Sequence, residues 1–300
     1  MNNLTNRQKG IIALIFLTVI FASMGLFVRY LNTGFALLQQ VYLRVFAAFC
    51  LSLIFFHREI NLKKIPKISV KEWGLIVFRA ISMYLIGVTL FSKAILETKY
   101  SNVSFIAAIP LVALYGFVFF KEKVSLKKIL LISLSFIGVV IISVTDYSNV
   151  FQFGYGELLA FISAISFGLS YVARKWHSDL LNNKEITVLI FLVSAFIVFT
   201  VSVLVGEGIP ILNNQIGLLT AVLGSGLFNV FNLYLTNFGF QHVEAVLASN
   251  LLTLESVFAV LLGFIFYREL PLTRELIGGI IIIISVVYLN KIQEKEFKTK

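Results

Sequence analysis

The sequence predicts an all-α membrane protein of ten transmembrane helices, arranged as two inverted five-helix repeats around a central cavity. Three observations carry that prediction. First, 59% of the residues are hydrophobic and 13% are charged, with a mean hydropathy of +0.94. Such a chain has too little polar surface to dissolve as a globule, so most of its exterior faces lipid. Second, apolar runs of about 20 residues recur along the whole length, each long enough at about 1.5 Å per residue to cross a hydrocarbon core of about 30 Å. Third, the second half repeats the first. Gly116-Phe117-Val118-Phe119-Phe120-Lys121-Glu122 returns as Gly263-Phe264-Ile265-Phe266-Tyr267-Arg268-Glu269, an offset of 147 residues. The same gapless register superimposes Ser82 on Asn229, Thr89 on Thr236, Glu97 on Glu244 and Val139-Val140 on Val286-Val287.

The elements follow in order. Span 1 (10–29) follows Arg7 and Lys9, lacks a small-x-small cleavage site with a soluble domain behind it, and has a counterpart in span 6, so it is a mature helix rather than a secretory signal. Span 2 (37–56) carries Arg44 and the lone cysteine, Cys50, which can form no intramolecular disulfide. Span 3 (73–93) carries a polar stripe of Arg79, Ser82, Thr89 and Lys93. In span 4 (102–120), Pro110 frees backbone groups one turn before Tyr115 and bends the helix. Span 5 (129–145) completes the first repeat, residues 1–148. The second repeat, residues 149–300, holds spans 156–173, 187–205, 216–238, 245–267 and 275–290, and its Ser166-Phe167-Gly168-Leu169 echoes Ser23-Met24-Gly25-Leu26. Runs such as Ile11 to Ile20 do not alternate apolar with polar residues, which argues against a transmembrane β-barrel.

Of the 25 Lys and Arg residues, 18 collect on one face, among them Arg7, Lys63, Lys64, Lys67, Lys123, Lys127, Lys175, Lys184 and Lys295. Basic loops stay in the cytoplasm, so both termini are expected there. The net charge of +10 is then a topology signal with anionic lipid headgroups as neighbours, and no nucleic-acid partner is expected. Five helices per repeat is an odd number, so the two copies enter the membrane from opposite sides. Two half-structures of that kind can exchange conformations, closing one side as the other opens.

Polar side chains within the spans are expensive in hydrocarbon and mark a bundle interior or a watery cavity. In span 8, Ser225, Asn229, Asn232 and Thr236 share one helical face, and the repeat register sets Ser82 opposite Asn229. Either these faces line a cavity or they join helices through hydrogen bonds worth about 0.6 kcal/mol each. Glu255, about ten residues into span 9, is the costliest residue: an acidic group near the midplane costs about 3 kcal/mol on an insertion scale. It pairs with Arg44 or Arg79, or stays neutral in the low dielectric, or holds a substrate amine or a proton. On a continuous helix it lies about 120° from the Ser249, Thr253, Ser256 stripe, so both cannot face one narrow cavity. Arg44 is expected to snorkel toward the headgroups. Tyr84, Tyr115, Tyr171 and Tyr234 offer aromatic walls with a hydroxyl, although Tyr171 and Tyr234 also fall where interfacial belts lie. The candidate substrate-binding set is Arg79, Ser82, Tyr84, Tyr115, Asn229, Asn232, Asn250 and Glu255.

The helix end Lys121-Glu122-Lys123-Val124-Ser125-Leu126, its partner Tyr267-Arg268-Glu269-Leu270-Pro271-Leu272, the segment Leu254-Glu255-Ser256-Val257-Phe258, and Arg44 resemble the EamA type of the drug/metabolite transporter superfamily. The resemblance covers nearly the whole chain. The sequence departs from the family pattern at Ser256 and at Met24-Gly25. The resemblance implies a small-molecule carrier of a bacterial inner membrane, with a cavity lined mainly by spans 1, 3, 4, 6, 8 and 9, and members that move amino acids and related metabolites. The alternative reading is an importer of a nucleotide-like metabolite such as S-adenosylmethionine; a channel is a third.

An enzyme is disfavoured by missing motifs. The chain carries no Gly-x-x-x-x-Gly-Lys, no His-Glu-x-x-His and no catalytic cysteine with a partner histidine, and no cofactor or metal is expected. His57, His177 and His242 read as interfacial residues at cytoplasmic helix ends. Transport without an ATP site draws on a proton or ion gradient, or on the substrate's own.

Overall fold

The computed structural model describes residues 4–123, 125–144, 154–210, 216–268 and 270–298. Among them ten helices are long and apolar enough to cross a membrane: α1 (Asn6–Leu31), α2 (Leu37–Phe56), α3 (Val70–Glu97), α4 (Asn102–Phe120), α5 (Leu126–Ser143), α6 (Tyr155–Trp176), α7 (Asn183–Leu204), α8 (Ile216–His242), α9 (Ala245–Leu262) and α10 (Thr273–Glu296). They coincide with the ten apolar runs to within a few residues, mostly extending them by a polar turn. That turn is where caps sit. Gln8 N–H donates to Thr5 Oγ1 at 3.2 Å while Thr5 N–H donates to Gln8 Oε1 at 2.9 Å, a reciprocal cap on α1. On the same face Ser69 and Ser125 cap α3 and α5 by accepting from Glu72 N–H and Lys128 N–H, and Asn182 caps α7 reciprocally with Glu185. That face carries both ends of the described chain and is called the terminal face below.

The repeat seen in the sequence reappears in the packing. Helix α1 packs on α8 and α9, as α6 packs on α3 and α4; α8 lies on α2 as α3 lies on α7; and α2 pairs with α7, α5 with α10. Exchanging the two halves leaves this set of neighbours unchanged, which is a two-fold relation. With five crossings in each half, the second half runs inverted. Backbone geometry repeats as well: Lys121 after α4 and Arg268 after the α9 helix both adopt left-handed conformations, at φ 49° and 55°, which caps the two helices alike. Glu269, Val124, Asn149 and Asn213, named in the sequence reading or lying in its loops, fall outside the described residues.

The α5–α10 pair meets at glycines. A Cβ on Gly278 would stand 2.6 Å from Gly138 O, inside any real contact. Gly278→Ala is therefore expected to lower the melting midpoint of the detergent-solubilised protein by overpacking worth about 1–3 kcal/mol. Gly74→Ala, which meets nothing within 4 Å, is the control that leaves the midpoint in place.

Among the described residues, three helices break α geometry within the bundle interior. Residues Ile81–Val88 of α3 form a π-helix. Helix α4 is interrupted between Ala107 and Leu111, where Pro110 has no N–H to give, as its sequence position implied. Helix α9 is interrupted at Thr253, between Ala245–Leu252 and Leu254–Tyr267. No proline marks that break. Thr253 Oγ1 instead bonds Asn250 O at 2.6 Å and meets Ser135 Oγ at 2.6 Å, so a side chain competes for the backbone carbonyl. The repeat-related helices α4 and α9 are thus both discontinuous.

His177 departs from the interfacial reading. It is buried just beyond the end of α6, and burial, then neighbouring Arg79, push its pKa down to about 4. The ring is neutral at neutral pH and donates from Nδ1 to Glu72 Oε1 at 2.5 Å, while Ser178 N–H donates to Glu72 Oε2 at 3.1 Å. The pair fastens the loop after α6 to the start of α3.

Candidate functional site

A cavity of about 270 Å³ lies among α1, α3, α4, α6, α8 and α9, with Arg44 of α2 and the end of α5 completing its wall. Its lining runs from mid-helix to Ser104 and Ser143, at the ends of α4 and α5 on the face away from the termini. Toward the terminal face it is closed by aromatic packing, with Tyr171 stacked 5.3 Å from Phe240 and 6.3 Å from Phe21 between ring centroids. Phe21, Met24, Phe91, Phe167 and Val260 make most of the wall apolar. A few polar groups converge on it, as in small-molecule sites generally.

Two of those groups are ionisable, and neither has an ionic partner among the described residues. Arg44 is 1% exposed and gives Nε to Gln40 O at 3.2 Å and NH2 to Ser92 Oγ at 3.4 Å. It has no carboxylate partner among the described residues. Glu255, at the start of the second α9 segment, has neither a hydrogen-bond nor an ion-pair partner among the described residues. An ion pair of Glu255 with Arg44 or Arg79 is therefore not formed. Asn232 adds a buried carbonyl, Oδ1, with no hydrogen-bond partner, and Asn229 donates Nδ2 to Ser225 O at 2.9 Å on the same face of α8. Buried polar groups are nearly always paired, so unpaired ones around a cavity point to a ligand or ordered water.

Glu255 also shares this wall with Ser249, Thr253 and Ser256, contrary to the helical-wheel expectation. The wheel assumes one continuous helix. The break at Thr253 resets the angle between Ser249 in the first α9 segment and Glu255 and Ser256 in the second, so the separation drawn from one continuous helix no longer holds between Glu255 and Ser249.

Of the candidate set, Asn229, Asn232 and Glu255 border the cavity and the other five do not. Arg79 is fully buried between α3, α6 and α8, giving Nε to Ser170 O at 3.0 Å and NH2 to Asn237 Oδ1 at 2.6 Å. Tyr84 packs its ring 5.7 Å from Phe191 of α7, and Ser82 is buried without reaching the cavity. Tyr115 donates its hydroxyl to Ile165 O at 3.4 Å and stacks on Phe119. Asn250 gives Nδ2 to Ser285 Oγ at 3.2 Å in the α9–α10 contact. The cause in α3 is the π-helical stretch: its wider turn shifts the faces, so Val88, Phe91 and Ser92 line the cavity instead of the Arg79, Ser82, Thr89 series. Thr89 Oγ1 bonds Tyr84 O, five residues back.

Sequence reasoning missed Arg44 and Ser92 as cavity residues and left Tyr171 open between an aromatic wall and an interfacial belt; it lines the cavity. Arg44 does not snorkel because α2 is covered by α7 and α8, and Tyr171 is buried rather than interfacial.

Comparison with known proteins agrees with this architecture. A solved chain described only as "Crystal structure of protein" superimposes with a TM-score of 0.78 at 13% identity, over 96% of this chain and 99% of that one, which speaks for the fold alone. No curated protein matches the sequence. The model of the EamA-like transporter family matches twice, over residues 8–144 and 154–291, one match for each half. Ten membrane helices, a repeated half and a cavity between the halves are the parts of a membrane transporter, and the chain belongs to the EamA-like transporter family.

Proposed function

We propose that the protein is a secondary transporter that moves an amino acid or a closely related zwitterion across the bacterial inner membrane by alternating access. The observation that carries the reading is that Arg44, buried, and Glu255, half-buried, border one cavity and neither has an ionic partner among the described residues. An uncompensated charge in a low-dielectric site is costly, and a ligand bearing a carboxylate and an amine relieves both costs at once. The guanidinium suits a carboxylate and the glutamate suits an ammonium. A volume of about 270 Å³ falls just under the range of about 300–1,000 Å³ that holds drug-sized ligands, so the occupant is small. Asn232 Oδ1 supplies an acceptor for a further N–H of the substrate.

The test is competition against uptake of a labelled amino acid in proteoliposomes. A free zwitterion is expected to compete, whereas its methyl ester and its N-acetyl derivative, each lacking one charge, compete at least about tenfold less well. Equal competition by all three contradicts the reading, and competition by S-adenosylmethionine alone favours the nucleotide-like alternative. Asn229→Ala and Asn232→Ala are expected to weaken binding about five- to thirtyfold, the equivalent of about 1–2 kcal/mol for a lost hydrogen bond, with membrane insertion unchanged. Wild-type affinity in both variants makes the α8 face helix glue.

The basic asymmetry supports a cytoplasmic terminal face. In a Cys50→Ser background, Asn182→Cys is then expected to react only with permeant reagents, and Ile209→Cys from outside intact cells. External labelling at 182 reverses the orientation. In the expected orientation the cavity described here reaches toward the outside.

A further inference from the structure

The cavity is closed toward the termini where the second segment of α4 meets the first segment of α9, and one carboxylate spans that contact. Glu122, just past α4, accepts at Oε1 from Ala245 N–H at 2.7 Å and from Lys175 Nζ at 3.5 Å, and at Oε2 from Val246 N–H at 3.0 Å. Ala245 and Val246 open the first α9 segment. Their N–H groups have no partner within the helix, and the helix dipole is positive there, so a carboxylate satisfies both. The backbones meet closely beside it: a Cβ on Gly116 would stand 2.9 Å from Ala245 Cβ.

The symmetry-related contact is not made. The first segment of α4, Tyr100–Ala107, and the second of α9, Leu254–Tyr267, show no comparable packing among the described residues. Ser104 and Ala107 of one and Ala259 and Val260 of the other border the cavity instead. Of two contacts that the inverted repeat makes equivalent, one is closed and latched while the other stands open across the cavity.

We propose that Glu122 is the positioning residue that selects this state, its carboxylate tying α9 to α4 and α6, and that its release lets the terminal face open. Opening that face separates Glu122 from Ala245 and Val246, so the three hydrogen bonds exist in only one of the two states, and only such differential contacts can shift a conformational equilibrium.

The repeat register supplies a reporter for each state. Ser104 borders the cavity, and its counterpart 147 residues on, Leu251, is 1% exposed; when the terminal face opens, Leu251 takes the place that Ser104 holds now. In a Cys50→Ser background, Ser104→Cys and Leu251→Cys are introduced singly, and their rates of reaction with a water-soluble maleimide are measured in detergent with no substrate present. With Glu122 intact, position 104 reacts fast and position 251 slowly. Glu122→Ala is expected to raise the rate at 251 at least about tenfold and to lower the rate at 104. Glu122→Gln, which keeps one acceptor, shifts both in the same directions by less, as does Lys175→Gln, which leaves both backbone bonds in place. An unchanged rate at 251 overturns the proposal, and so does a rise at both positions, which reports general loosening. Should Glu122→Ala fail to fold, the two rates in Lys175→Gln decide by the same criteria. Labelling involves no ligand, so its outcome is independent of the substrate assignment.

Discussion

Glu255→Gln lowers the affinity for amine-bearing substrates between about thirtyfold and several-thousandfold, and removes the pH dependence of transport, while the protein folds and inserts normally. The magnitude follows from about 2–5 kcal/mol for losing one partner of a buried charge pair. The intact fold follows from the absence of any internal partner: Glu255 holds no hydrogen bond or ion pair among the described residues, so amidation breaks no internal contact. For the same reason a second change, Arg44→Gln or Arg79→Gln, does not restore transport. Recovery of transport on adding either change would show that the glutamate serves only to neutralise an arginine. A fully active Glu255→Gln protein with an unchanged pH profile would exclude a proton-carrying role. Initial rates in proteoliposomes between about pH 5 and 8, with melting midpoints in parallel, separate these outcomes.

Arg44→Gln acts on the other end of the substrate. It is expected to weaken carboxylate-bearing substrates by a similar factor, while a methyl ester, which never engaged the guanidinium, binds as it did to the unmodified protein. Glu255→Gln shows the reverse pattern, sparing an N-acetyl derivative. The crossing of two variants with two edited ligands isolates each charge contact. Among the described residues Arg44 hydrogen-bonds only to Gln40 O and Ser92 Oγ, so glutamine, neutral and able to hydrogen-bond, leaves less buried charge behind and preserves stability. Uniform weakening of every ligand by Arg44→Gln would instead mark a residue that shapes the cavity without touching the carboxylate.

The fold was legible in the sequence because lipid imposes a coarse and repetitive demand, about 20 apolar residues per crossing, and because one register of 147 residues ties Lys121 to Arg268 and α4 to α9. The site was legible in part. Asn229, Asn232 and Glu255 announced themselves as polar residues in apolar runs, and Pro110 announced the break in α4. The break in α9 carries no such mark, since it depends on Thr253 meeting Ser135 from α5. Stripes of polar residues do not say whether they face a cavity or a neighbouring helix: Arg79 and Asn250 satisfy Asn237 and Ser285, partners distant in sequence. The π-helical turns of α3 then moved Ser82 and Tyr84 off the face that an ideal period assigns them. Arg44 was misplaced because distance from a membrane face does not reveal which neighbours cover the helix.

Counterflow tests the central claim most directly. Proteoliposomes containing the purified protein are loaded with unlabelled amino acid and diluted into trace labelled amino acid, with no ion gradient imposed. A carrier whose cavity is reached from one side at a time is expected to give a transient, saturable accumulation of label that vanishes when Arg44 and Glu255 are both replaced by Gln. Label that merely equilibrates, or an ohmic current on applying a voltage, would contradict the account and mark an open pore.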